Sequence, residues 1–179
     1  MKGIIFNLLE EAVSKEFGEV TWDKLLDEAN LSGAYTSLGS YADGEIIALV
    51  DAASAVLNLP SQDILRWFGQ SAMPLLATRF PDFFSEHAET RSFLLTLNNI
   101  IHPEVHKLYP GASTPVFDFG ASDDGGLIIG YSSSRKLCAL AEGFMRGAAE
   151  HFHEQADIRQ PQCMHEGAAS CVFHVRFHQ

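Results

Sequence analysis

The feature that most limits this fold is a change of hydrophobic rhythm at Gly111. Upstream, apolar residues recur at helical spacing; downstream, they form short strand-like runs. Ile4, Ile5, Leu8, Leu9 and Val13 share one helical face that stops near Gly18. Thr21 can cap a second helix bearing Leu25 and Leu26. A third carries Ile46, Ile47, Val50, Ala53 and Leu57 and closes at Pro60, and a fourth runs from Ser61 through Phe68. Pro74 is expected to kink or end that helix, because proline lacks an amide proton and clashes with the preceding turn. A short aromatic piece follows at Phe83 and Phe84. Helical spacing returns between Ser92 and Tyr109, with Pro103 forcing a bend or restart just before His102.

Beyond Gly111, Val116–Phe119 and Leu127–Ile129 read as strands joined by Asp123-Asp124-Gly125-Gly126, which is hairpin chemistry. A long helix is expected from about Arg135 to Gln155. The last segment alternates, with Cys171, Phe173, Val175 and Phe177 on one side and Val172, His174, Arg176 and His178 on the other. Helices followed by two hairpins flanking one helix make an α+β chain with a small antiparallel sheet.

Composition narrows the function classes. With 46% hydrophobic and 20% charged residues in 179, the chain can bury one full core. Its 13 phenylalanines can line an apolar pocket for a flat ligand. A formal charge of -11 repels phosphate backbones, so nucleic acid is not an expected partner. No apolar run approaches the ~20 residues that cross a bilayer. Lys2 followed by Glu10 and Glu11 makes a poor signal peptide, and three cysteines cannot all pair. A cytoplasmic address is expected.

Three groups of residues carry chemistry. The first is Tyr131-Ser132-Ser133-Ser134-Arg135, directly after the apolar run Leu127-Ile128-Ile129-Gly130. Read as an extended segment, Tyr131, Ser133 and Arg135 share a face and can converge on one carboxylate or phosphate. Alone this is weak, since such residues on a half-exposed strand usually face water. The second is His102, on the apolar side of its segment, where a buried imidazole can be a core residue or an axial metal base. His106 lies four residues on and could share a metal with it, but His-x-Glu-x-His is not the metalloprotease arrangement. The third is Cys138, Cys163 and Cys171, with His165 the nearest imidazole and His151 and His153 behind it. Three thiolates and one imidazole would close a tetrahedral Zn2+ site; the alternative is three buried free thiols.

Together these residues resemble the H-NOX (haem-nitric oxide/oxygen binding) family along the whole chain. The likeness rests on Met1-Lys2-Gly3-Ile4-Ile5, on His102, on Gly111-Ala112-Ser113-Thr114-Pro115 and on Tyr131-x-Ser133-x-Arg135. The last of these is the family's diagnostic motif. The resemblance implies one domain, with a helical lobe at residues 1–60 and a haem-binding lobe at 61–179. It implies haem b between them, with His102 as axial iron ligand and Tyr131, Ser133 and Arg135 on the propionates. Pro115 and Ile5 would touch the ring. Oxygen-binding members carry a tyrosine where this chain has Leu140, so an apolar wall of Leu140, Leu9 and Met73 is expected to favour NO, with CO as a further ligand.

The resemblance further implies a gas sensor rather than an enzyme. Because the chain ends at Gln179, the output is expected through a separate histidine kinase or cyclic-di-GMP enzyme. Some members hold zinc with three cysteines and a histidine; Cys138, Cys163 and Cys171 match, but Gln160 stands where that histidine would be. His165 is then the substitute, or the thiols act as a redox-sensing module.

Overall fold

The amphipathic helices of the first half pack their apolar stripes against one another. In the computed structural model, which describes residues 1–179, these are α1 (Gly3–Phe17), α2 (Glu19–Ala29), α3 (Asp43–Leu57) and α4 (Ser61–Arg79). Phe6, Leu8, Leu49 and Phe68 are wholly shielded at the centre of this cluster. Each contributes roughly 1.5–3 kcal/mol by leaving water. Thr21 does not cap α2. Gly18, at φ 89, turns the chain so sharply that α2 begins at Glu19, and the Thr21 hydroxyl instead donates to Phe17 O at 2.8 Å.

Pro74 does not break α4, which runs unbroken for 19 residues. The reason is tertiary. α4 lies almost backbone to backbone on α7 (Cys138–His151), and a Cβ on Gly69, Gly143 or Gly147 would strike the facing main chain. Buried Glu142 adds a paired charge at this junction, 2.7 Å from Arg66 Nε and 2.8 Å from Arg146 Nη2. Such contact outweighs the ~3 kcal/mol that an interior proline costs. α7 is shorter than its apolar spacing suggests, because Lys136 (φ 51) and His153 (φ 59) adopt left-handed conformations beyond its two ends.

The bend expected before His102 is present. After α5 (Thr90–Leu94), residues Leu97–Ile101 form a π turn, and α6 (His102–Leu108) follows directly. Pro103 then falls in the first turn of α6, where its missing N–H leaves little unsatisfied.

The second half supplies the α+β character. Strands β1 (Val116–Ala121), β2 (Leu127–Ser132), β3 (Gln155–Gln162) and β4 (Cys171–His178) form an antiparallel sheet in the order β1-β2-β4-β3. Tyr131 sits opposite Phe117 on one side and Cys171 on the other. Leu127, Ile129, Phe173 and Val175 face inward under α7, as the alternation of β4 requires. No single helix is long and apolar enough to cross a membrane.

Gly143→Ala is expected to lower unfolding stability by about 1–3 kcal/mol, the range for overpacking a tight interface. Urea denaturation of the variant beside the native protein measures it; an unchanged midpoint would mean that α4 and α7 are not pressed together.

Candidate functional site

Residues from both halves enclose a cavity of about 360 Å³, and 25 of the 34 residues around it are hydrophobic. That is the size and character of a small-molecule site. α1 contributes Ile4 and Ile5, α4 contributes Met73 and Leu76, and α7 contributes Leu140 and Phe144. No side chain that these three helices present to the cavity is polar. Leu9 is not part of this wall; it lies in the helical cluster, 2% exposed, because the face of α1 it shares with Val13 turns toward α3 and α4.

α6 presents His102 to the same cavity. Burial, with a smaller push from His106, lowers its pKa from 6.5 to about 4. The imidazole is therefore neutral at physiological pH, with a nitrogen lone pair free for a metal. His106 points elsewhere, its Nε2 3.1 Å from Thr114 Oγ1 on the exposed surface. The two histidines do not share a site.

Tyr131, Ser133 and Arg135 all reach the cavity, together with Ser113, Thr114 and Pro115. Tyr131 does so by strand alternation, on the face of β2 it shares with Leu127 and Ile129, whereas Ser133 and Arg135 do so through a turn. β2 ends at Ser132, Lys136 N–H donates to Ser133 O at 3.1 Å, and Arg135 N–H donates to Ser133 Oγ at 3.2 Å. Burial raises the pKa of the Tyr131 phenol, so it stays protonated and able to donate.

Arg135 donates through Nη1 to Ser113 O at 2.8 Å, and its Nε lies 2.8 Å from Asp43 Oδ2 without an aligned hydrogen bond. Asp43 Oδ1 sits 2.6 Å from the Met1 ammonium. Burial alone would raise the Asp43 carboxyl, but the ammonium and Arg135 outweigh it and hold it below the usual carboxylate range. Asp43 ties α3 to the rim of the cavity. Nothing in its sequence neighbourhood marks it.

An apolar slot, one neutral imidazole and a rim of hydroxyls around a guanidinium match an iron porphyrin with two carboxylate arms. The residues present fit haem.

The cysteines form a second group. Their three Sγ atoms lie within 4.8 Å of one another, and Cys138 and Cys163 are 3.9 Å apart. Met164 N–H donates to Cys171 Sγ at 3.2 Å. Burial pushes the Cys138 thiol up to about 12. His165 is not among them: its Nε2 lies 2.8 Å from Lys136 O, on the surface. His151 packs against Phe84 and Phe152 instead. Gln160 lies beside Cys138, with its Nε2 buried and unpartnered. Three of the four donors of a closed zinc site are assembled, and no imidazole is.

The fold and the cavity define a haem-pocket protein, and known proteins agree. The Haem-NO-binding family profile matches residues 2–160. An H-NOX protein from S. oneidensis in the Fe(II)NO state is 36% identical, with all of both chains covered and a TM-score of 0.93. The H-NOX from Shewanella woodyi in the Fe(II)CO state is 33% identical over 98% of this chain and 93% of that one, with a TM-score of 0.82. The unliganded Fe(II) H-NOX protein from K. algicida is 28% identical over 100% and 97%, with a TM-score of 0.88. The chain belongs to the H-NOX family of haem-based gas-sensing domains.

Because burial holds the free imidazole neutral down to about pH 4, His102 in the haem-free protein is expected to titrate near 4, followed by its imidazole carbon-bound proton shifts in NMR. A transition centred near 6.5, the ordinary histidine value, would mean that His102 is solvated and not shielded.

Proposed function

We propose that this domain senses nitric oxide through ferrous haem b bound at His102 and passes the signal to a separate partner protein. The observation that carries the choice of gas is the wholly apolar lining from α1, α4 and α7. The haem supplies a ferrous iron that binds a diatomic gas. Binding of O2 gains from a hydrogen-bond donor beside the gas, whereas NO needs none; CO is accepted as well. The ferrous NO and CO states of relatives support this reading.

In this reading His102 is the axial ligand, and Tyr131, Ser133 and Arg135 hold the two carboxylate arms. Ile5 and Pro115 press on the ring, and Leu140 with Met73 shapes the gas side. NO held by the haem would weaken its hold on His102, and α6 would be free to move with the imidazole. Residues 1–60 would then shift against residues 61–179 across the Asp43–Arg135 ion pair. Two states with different surfaces result, and a partner binds one better than the other. Family likeness points to a histidine kinase or a cyclic-di-GMP enzyme in the cytoplasm. The domain itself is assigned no catalytic role.

A zinc or thiol redox module built on Cys138, Cys163 and Cys171 gains no support as the function. With its thiol at about 12, Cys138 offers almost no thiolate to an oxidant at neutral pH. The spacing of the three sulfurs does suit a structural Zn2+, which would deprotonate them and draw its fourth ligand from Gln160 or solvent.

Oxygen added to the ferrous protein is expected to give no stable oxy spectrum, while NO and CO each shift the Soret band. His102→Ala should be purified with little pigment and regain it when hemin and imidazole are added together. Normal pigment in that variant without imidazole would remove His102 as the ligand. Arg135→Ala should release haem several-fold faster, measured by transfer to apomyoglobin.

A further inference from the structure

Leu97–Leu108 is the least anchored part of the haem cavity. α6 has no buried residue, and the π turn before it buries only Ile101. The turn is held from within, with Ile100 and Ile101 N–H both donating to Thr96 O, at 2.9 and 3.1 Å. A single side chain in the segment hydrogen-bonds to the sheet. It is Asn98, in the π turn, about one turn ahead of His102.

Asn98 meets both main-chain groups of one residue. Its Nδ2 donates to Phe117 O, and its Oδ1 accepts from Phe117 N–H at 3.3 Å. Phe117 belongs to β1, an edge strand, so the carboxamide pairs with the open edge of the sheet as a neighbouring strand would. The ring of Phe117 then lies 5.9 Å from the His102 ring and 5.7 Å from that of Tyr131. One amide therefore fixes the distance between the segment carrying the imidazole and the strands carrying the carboxylate clamp.

Only asparagine supplies this pairing at this reach. Aspartate keeps the acceptor and loses the donor. Alanine loses both and leaves two half-buried main-chain groups short of a partner. Asn99, its neighbour, is exposed and makes no side-chain hydrogen bond, so it provides a control on the same turn.

We infer that Asn98 is a positioning residue, pinning the His102 segment to strand β1 and setting how readily the imidazole leaves its ligand position. This rests on His102 being the axial ligand. It adds what resists the release: a pair of hydrogen bonds that must stretch or break before α6 can swing away from the sheet. Weakening that pair makes departure easier without touching haem or gas.

The test is stopped-flow mixing of the ferrous haem protein with NO, following the absorption change that marks departure of the imidazole. Asn98→Ala should make that step about tenfold faster, equivalent to ~1.4 kcal/mol. Asn98→Asp should fall between Asn98→Ala and the native protein, and Asn99→Ala should match the native rate. Hydrogen exchange at the Phe117 amide should quicken in Asn98→Ala, and this can be read even if that variant holds haem poorly. A rate within twofold of native in both Asn98 variants overturns the inference, as does an equal acceleration in Asn99→Ala. Failure of the underlying reading looks different: His102→Gly would then keep the native spectrum without added imidazole.

Discussion

The close approach of α4 and α7 is the contact on which the rest of this molecule depends. Three glycines let the two main chains meet, and this allows a proline inside α4 at a cost the packing absorbs. The same contact sets Met73 and Leu76 beside Leu140 and Phe144, forming an apolar wall with no donor in it. A side chain at Gly143 would push α7 outward, and the wall would move with it. Glu142 joins the pair through Arg66 of α4, and Arg146 on its own helix braces the carboxylate. Packing that stabilises the fold therefore also determines what the cavity can bind.

Electrostatics act at the other end of the cavity. Arg135 would normally extend into water; here a backbone carbonyl and Asp43 hold it at the rim. Asp43 is shared with the chain's own ammonium, so three charges meet where α3, the N-terminus and the turn after β2 come together. The ammonium and the guanidinium are largely shielded while the shared Asp43 carboxylate is exposed, so the net is open to screening by salt. Arg135 is thus already paired with Asp43, and through that pair the rim of the cavity is joined to α3.

Much of this was legible in the sequence, and the exceptions share a cause. The alternation of β4 and the Asp-Gly turn between β1 and β2 are local signals, and both strands formed where they pointed. The α+β class followed from the order of such signals. Pro74 misled because its local cost is real, and the compensating contact comes from a helix that lies far along the chain. Tyr131 reaches the cavity through the strand period, but β2 ends at Ser132, and Ser133 and Arg135 arrive through a turn that includes Lys136 at φ 51. Asp43 and Asn98 were invisible as site residues. Each is an ordinary polar residue whose partner is distant in sequence, and only the fold supplies that partner. Spacing alone said little about Cys138, Cys163 and Cys171; the β3–β4 hairpin folded over the start of α7 is what gathers them.

The same uneven packing bears on how such a domain could switch. α7 buries ten of its 14 residues, so moving it would open the core and cost many kilocalories. α6 buries none of its seven, and its junction with α5 is a π turn that already departs from regular helical bonding. Motion of α6 therefore exposes little new apolar surface. What opposes it is a few directed contacts, of which the Asn98–Phe117 pair is the one reaching the sheet. Local opening free energies are lowest where buried contacts are fewest. His102 is therefore mounted on a segment that can move at little cost in buried surface, while the close-packed α4–α7 wall keeps the cavity's shape.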